Sequence, residues 1–285
     1  MSDIFPGPKR FYETYLEFHE KIFTSHVKCM QHLVAVLPFD KLNQVDVNAQ
    51  FSQNKPILNE QNLITEEKDL EFIFDLIFPI LKKYFYRKKE QILRLEELND
   101  RRKISLAKLI IAQVARDKEP FNEITKKYDV PVILLEKVVE FISSPYLELC
   151  AEFFNKKVTK INWNKPFCPI CGNPPTMAIV NEKKSKRDLW CRFCDTSWSF
   201  FETVCPFCSS KDFSTQKIIF YSNKKPVRID ACDNCNNYIK TVNENMLQQN
   251  LNFSVKNVET FYLDLLARNF GYTTPNHIKF YLESI

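Results

Sequence analysis

Glycine is nearly absent from this chain, with three in 285 residues and only Gly7 within the first 160. Histidine is almost as scarce, and none lies between residues 163 and 245, the stretch that holds eight of the ten cysteines. The cysteine-rich part therefore offers no nucleophile–histidine pair of its own, and the chain is expected not to be an enzyme. No apolar stretch reaches membrane-spanning length free of charges, so stable membrane insertion is not expected. Residues 1–25 lack a basic-then-apolar leader with a small-residue cleavage site, which predicts a cytoplasmic protein and argues against a disulfide framework. A net charge of +5 is too mild to demand a polyanion, so nucleic acid is not the expected partner.

What is present is four Cys-x-x-Cys pairs: Cys168/Cys171, Cys191/Cys194, Cys205/Cys208 and Cys232/Cys235. Two thiolates at i and i+3 grip one face of a tetrahedral ion, and a second pair closes the other face, with metal–sulfur distances of about 2.3 Å for zinc. Eight thiols thus supply two tetra-cysteine sites. Each turn needs a residue after its second cysteine that tolerates positive φ, and those residues are Gly172, Asp195, Ser209 and Asn236. Pro169 and Pro206 fix φ after the first cysteine of two pairs. Gaps of 19, 10 and 23 residues separate the pairs. The longer two each admit a β-hairpin, so the simplest pairing joins first to second (Cys168, Cys171, Cys191, Cys194) and third to fourth (Cys205, Cys208, Cys232, Cys235). A crossed pairing is the alternative.

A thioredoxin-like redox pair normally occurs singly, and the close cysteine spacing of bacterial ferredoxins is missing. Mononuclear sites are the better reading, and ligand type alone does not separate zinc from iron. A ribbon of about 40 residues cannot bury enough core to fold unaided, so a structural staple is the simplest role for each ion. Between Lys165 and Lys240, twelve Lys and Arg face seven Asp and Glu. That excess is matched to two tetrathiolate sites, each carrying about −2 around a divalent ion.

Residues 1–160 differ in kind. Lys9–Val36 carries Phe11, Tyr15, Phe18, Ile22, His26 and Cys29 at helical spacing. Glu66–Leu98 repeats the theme, with Pro79 expected to kink or divide it. Ile104–Arg116 and Val130–Lys156 add helices, the last with an expected interruption at Pro145. Residues 38–63 read as a long connection. Cys29 and Cys150 fall on apolar stripes as small core residues, His19, His26 and His32 read as helix-face residues, and Lys82–Lys89 reads as a solvated face. The expected class is α+β multidomain: an all-α bundle over 1–160, two small rubredoxin-like or zinc-ribbon modules over 163–202 and 203–245, and a C-terminal helical segment over 255–285.

The motif details carry a resemblance. Cys168-Pro-Ile-Cys-Gly-Asn-Pro-Pro175, Leu189-Trp-Cys-Arg-Phe-Cys-Asp-Thr-Ser-Trp198, Cys205-Pro-Phe-Cys208 and Ala231-Cys-Asp-Asn-Cys-Asn-Asn-Tyr-Ile-Lys240 together resemble the formate dehydrogenase accessory proteins, the FdhE family. Leu263-Asp-Leu-Leu-Ala-Arg-Asn-Phe-Gly-Tyr272 is similar to that family's C-terminal helix, while over the N-terminal half the likeness rests on helical pattern and Lys55-Pro-Ile-Leu58. Ser209 departs from the pattern, where glycine often follows the third pair. The resemblance implies a cytoplasmic maturation factor that contacts the formate dehydrogenase catalytic subunit. It also implies two rubredoxin-type iron sites, with zinc as the alternative, held by the eight cysteines. Trp190, Trp198 and Phe207 beside the turns would exclude water from such sites and tune their potential, or form the small ribbon cores. Two other readings stay open: a zinc-ribbon nucleic-acid-binding protein and a rubredoxin-like electron carrier. The residues leave the oligomeric state undetermined.

Overall fold

The computed structural model describes residues 9–63, 66–158, 162–181, 186–221, 226–246, 252–274 and 278–285. Gly7 and the start of the leader reading lie outside them. Eight helices form the N-terminal part: α1 Lys9–Val36, α2 Phe39–Asn43, α3 Val47–Ser52, α4 Glu67–Tyr84, α5 Lys89–Asp100, α6 Leu106–Ala115, α7 Glu119–Tyr128 and α8 Val132–Val158. The stripe of α1 packs as its spacing predicts, with Tyr15, Phe18, Ile22, Cys29 and Leu33 all buried. Helix α8 is the central element, and Lys137 and Glu140 are buried along with its apolar residues.

Four details differ from the sequence reading. Helix α4 runs through Pro79 unbroken, and the chain instead breaks at Phe85, followed by a 3-10 turn over Tyr86–Lys88. Pro79 is exposed, so water can satisfy the carbonyl that its missing N–H leaves free. Helix α8 passes Pro145 because it is packed on nearly all sides, and tertiary packing overrides the proline penalty. Helix α7 was not anticipated; left-handed residues Arg116 and Asp129 precede and end it. The 38–63 connection contains α2 and α3. It then runs along the first cysteine turn, where the Ile57 and Leu58 N–H groups donate to the Pro169 and Ile170 carbonyls at 2.9 and 2.8 Å.

Six strands follow: β1 Met177–Asn181, β2 Lys186–Trp190, β3 Ser197–Phe200, β4 Gln216–Ile219, β5 Val227–Cys232 and β6 Asn237–Asn243. They form one sheet in the order β3-β2-β1-β6-β5-β4. Two antiparallel meanders, one from each pair of cysteine turns, meet where β1 lies parallel to β6 with Ala178 opposite Thr241. The two expected ribbons thus share one sheet, and each gains a neighbour that a lone ribbon lacks.

The C-terminal segment is three short helices rather than one: α9 Phe253–Glu259, α10 Phe261–Asn269 and α11 Ile278–Ser284. They bridge sheet and bundle. Phe261 and Tyr281 pack against Tyr15 of α1, the first tilted and the second edge-on, with ring centroids 4.3 and 5.3 Å apart. On the sheet side, Asp264 accepts from the Tyr238 hydroxyl and pairs with the Lys240 ammonium, both at 2.8 Å. No helix among the described residues is long and apolar enough to cross a membrane.

Candidate metal centres

The turns take the geometry their sequence requires. Gly172, Asp195, Ser209 and Asn236 all have positive φ, at 73°, 54°, 60° and 54°. Backbone bonds close the turns: Gly172 N–H donates to the Cys168 carbonyl and Ser209 N–H to the Cys205 carbonyl, each at 3.0 Å. The hairpin β1–β2 brings the second turn to the first, and β4–β5 brings the fourth to the third.

The thiols gather as the uncrossed pairing. Cys168, Cys171, Cys191 and Cys194 form an inner set; Cys205, Cys208, Cys232 and Cys235 form an outer set. Within each set every sulfur lies within 4.8 Å of the others. In the inner set Cys168 and Cys194 are 3.4 Å apart and Cys171 and Cys191 3.5 Å. In the outer set Cys205–Cys235 and Cys208–Cys232 are both 3.8 Å. These separations far exceed a disulfide bond of about 2.05 Å. They are close to the edge of a sulfur tetrahedron, about 3.8 Å for a metal–sulfur distance near 2.3 Å. The donor set therefore fits a single soft tetrahedral ion at each position, zinc or iron.

Polar donors support the same fit. The Asn173 amide donates to Cys171 Sγ and the Asn234 amide to Cys208 Sγ, each at 3.4 Å, and the Phe207 N–H lies 3.5 Å from Cys205 Sγ. Such donors stabilise thiolate over thiol. Burial pushes the Cys191 and Cys194 thiols up. Burial acts on Cys208 in the same sense, but the Asn234 amide and its other donors prevail and bring it down to about 6. Four thiolates cannot all carry charge in so small a volume unless a cation joins them.

Around the inner set the three tryptophan donors are satisfied locally, Trp163 by the Phe167 carbonyl at 2.8 Å, Trp198 by the Lys165 carbonyl at 2.9 Å and Trp190 by the Asp195 carboxylate at 2.6 Å. Arg192, between Cys191 and Cys194, reaches Glu140 of α8, whose other oxygen meets Lys137 at 2.8 Å. This ionic link between second turn and bundle escaped the sequence reading; Arg192 looked like one more basic residue, and only α8 packing supplies its partner. Cys29 and Cys150 are buried apart from both sets, with thiols pushed up by burial to about 11 and about 12. His26 contacts Glu148 at 2.7 Å and His32 contacts Asp69 at 3.3 Å, whereas His19 is buried.

Residues 167–201 match the family model described as the FdhE central domain. A protein FdhE homolog from Aquifex aeolicus is 22% identical over 236 residues, covering 80% of this chain and 72% of the relative. A homolog of the same name from a Shewanella species is 32% identical over 115 residues, 38% of this chain and 37% of that relative. The crystal structure of the FdhE protein from Pseudomonas aeruginosa superposes with a TM-score of 0.57 at 14% identity, covering 94% of this chain and 93% of that one. The chain is thus similar to FdhE proteins in sequence over the first pair of cysteine turns and in fold over most of its length. The family-model match ends one residue after β3, so the inner set lies within it and the outer set beyond it.

Proposed function

We propose that this chain is a cytoplasmic maturation factor for formate dehydrogenase, not itself an enzyme, that binds the catalytic subunit of that enzyme near its metal modules. The reading divides the chain into a helical domain over 1–160, two modules over 163–202 and 203–245 that share a sheet, and a helical segment over 255–285. Cys168, Cys171, Cys191 and Cys194 would hold one iron ion and Cys205, Cys208, Cys232 and Cys235 a second, with zinc as the alternative. The observation that carries the reading is the pair of four-sulfur sets on one sheet in a chain similar to FdhE proteins.

Iron in such a site supplies one-electron chemistry, whereas zinc supplies structure alone. The residues of the chain do the rest. Trp198, buried in the same cluster as the four inner cysteines, excludes water from them, whereas Trp190 packs separately with Met177, Ile179 and Val242; the Asn173 and Asn234 amides favour the charged sulfurs. A set closed by four protein ligands has no open position for water activation, which supports an accessory role over a hydrolytic one.

Anaerobic co-purification with the formate dehydrogenase catalytic subunit, followed by elemental analysis and a visible spectrum, tests the proposal. A stable complex and two metal ions per chain are expected. Absence of association with either the mature subunit or its precursor would overturn it.

A further inference from the structure

Thiol accessibility divides the ten cysteines. Cys29, Cys150 and the four inner cysteines are 0–1% exposed, and Cys205 and Cys232 are each 4% exposed. Only Cys208 and Cys235, both of the outer set, are half-buried. Each of them has a buried sulfur of the facing turn beside it. Cys232 Sγ lies 3.8 Å from Cys208 Sγ, and Cys205 Sγ lies 3.8 Å from Cys235 Sγ. An accessible thiolate with a second thiolate in reach is the arrangement in which sulfur oxidation ends in a disulfide. The inner set has the second feature without the first: its sulfurs are as close, at 3.4 and 3.5 Å, but all are sealed from solvent.

The two outer turns also differ in how firmly they are held. The fourth is tied to chain outside itself: the Asp233 N–H donates to the Thr215 carbonyl and the Thr273 N–H to the Asn236 carbonyl, both at 2.7 Å. The Tyr238 N–H adds a bond to the Thr273 carbonyl at 3.0 Å. In the third turn the backbone bonds run from the Cys205 N–H to the Ser210 carbonyl and from the Ser209 N–H to the Cys205 carbonyl, so they stay within the turn. Bringing Cys208 Sγ from 3.8 Å to a disulfide length of about 2.05 Å therefore disturbs a turn whose backbone is bonded to itself. The Asn234 amide of the fourth turn donates to Cys208 Sγ at 3.4 Å and holds that sulfur toward Cys232.

We propose that Cys208 is a site of reversible oxidation by hydroperoxides, resolved by Cys232, and that this modification empties the outer set alone. The Cys208 thiolate attacks the peroxide O–O bond, which breaks to leave a sulfenic acid on Cys208 and a hydroxide. The Cys232 thiolate then attacks the Cys208 sulfur, forming the S–S bond and expelling a second hydroxide. Together the two thiolates lose two electrons, and the peroxide gains them. Two sulfurs joined to each other no longer complete a tetrahedral set, so the outer position gives up its ion while the inner position keeps its own. A thiol reductant reverses the step by exchange. The inference needs the sulfur sets and not a client, so it goes beyond the proposed function without depending on it.

The test treats the full, zinc-loaded chain with hydrogen peroxide, since peroxide does not oxidise zinc. Catalase stops the reaction, native mass spectrometry counts the retained zinc, and peptide mapping after alkylation locates thiols and disulfides. Expected are loss of one zinc ion per chain and a disulfide between Cys208 and Cys232. Oxidation of the inner cysteines should be at least about tenfold slower, because peroxide reaches them only after local opening. Dimedone present during a brief exposure should label Cys208 ahead of every other cysteine, which marks the sulfenic acid. Dithiothreitol with added zinc should restore two ions per chain. Equal oxidation of both sets, loss of zinc with Cys208 still a thiol, a disulfide joining Cys208 to any sulfur but Cys232, or failure of the reductant to restore the second ion would each overturn the proposal. No client takes part in the readout, so a failed co-purification with formate dehydrogenase would overturn the proposed function and leave this result standing.

Discussion

The inner and outer cysteine sets are made from the same turn, with a left-handed residue after each second cysteine and a hairpin between turns. What surrounds them differs. The inner cysteines are 0–1% exposed, and the bundle holds both of their turns: the first through the Ile57 and Leu58 amides, the second through Arg192 and Glu140. In the outer set Cys208 and Cys235 are only half-buried. Its neighbours are the C-terminal segment, where Thr273 bonds Asn236 and Tyr238, and the edge strand β4. One chemistry is thus placed once as a joint between bundle and sheet and once at the rim. Metal binding is folding free energy wherever the ligands are assembled only in the folded state. An ion at the joint would hold two parts of the molecule together; one at the rim would hold a surface.

Ligand loss should split the two sets most widely. Cys168→Ser is expected to release one metal ion and, because the first turn anchors residues 56–58, to lower the melting temperature by about 10 °C or more, in line with a loss above ~4 kcal/mol. Cys208→Ser should also release one ion but lower the melting temperature by less than about half as much. Elemental analysis with thermal melts checks both, and equal shifts would dissolve the distinction.

Smaller effects sharpen it. A Cβ on Gly172 would stand 3.1 Å from Pro56 Cγ and 3.2 Å from Arg116 Nη2, at a φ of +73°. Gly172→Ala should therefore cost about 1–3 kcal/mol from left-handed strain and crowding together. Ser209, in the corresponding turn of the outer set, already bears left-handed strain at φ 60°. Ser209→Gly should stabilise by up to about 1 kcal/mol. Denaturant titrations read both, and a neutral Gly172→Ala would show that Pro56 does not press on the first turn.

The mildest effect concerns acid. Burial, reinforced by Arg192, Lys137 and Lys240, lowers His19 to about 3. Between that value and about 6.5 the unfolded chain binds a proton that the folded chain refuses, so stability is full above 6.5 and falls with pH below it. His19→Phe should remove about 1 kcal/mol of the loss between pH 6.5 and 5.5. Paired denaturant curves at those two pH values check it, and parallel losses in both proteins would contradict it.

Much of this arrangement is legible in the residues themselves. The Cys-x-x-Cys spacing with Gly172, Asp195, Ser209 and Asn236 names both sulfur sets and their left-handed turns, because a local turn depends on local sequence. The stripe of α1 is equally local. The shared sheet is not, since β1 and β6 meet across more than fifty residues and no side-chain pattern in either strand names its partner. Nor is the role of Ile57 and Leu58, where main-chain amides make the contact and carry no side-chain signature. Pro79 and Pro145 misled for a related reason: the cost of a helical proline is set by exposure and packing around it, which appear only in three dimensions.

The difference between the two sets is tested most directly by metal release from the zinc-loaded chain under excess chelator, followed by absorbance and by native mass spectrometry. Two phases are expected, one ion per chain each, with the slower at least about tenfold slower because its ligands open only when bundle and sheet separate. Cys208→Ser should retain only the slow phase and Cys168→Ser only the fast one. A single phase for both ions, or earlier release from the set of Cys168, Cys171, Cys191 and Cys194, would contradict the assignment of joint and rim.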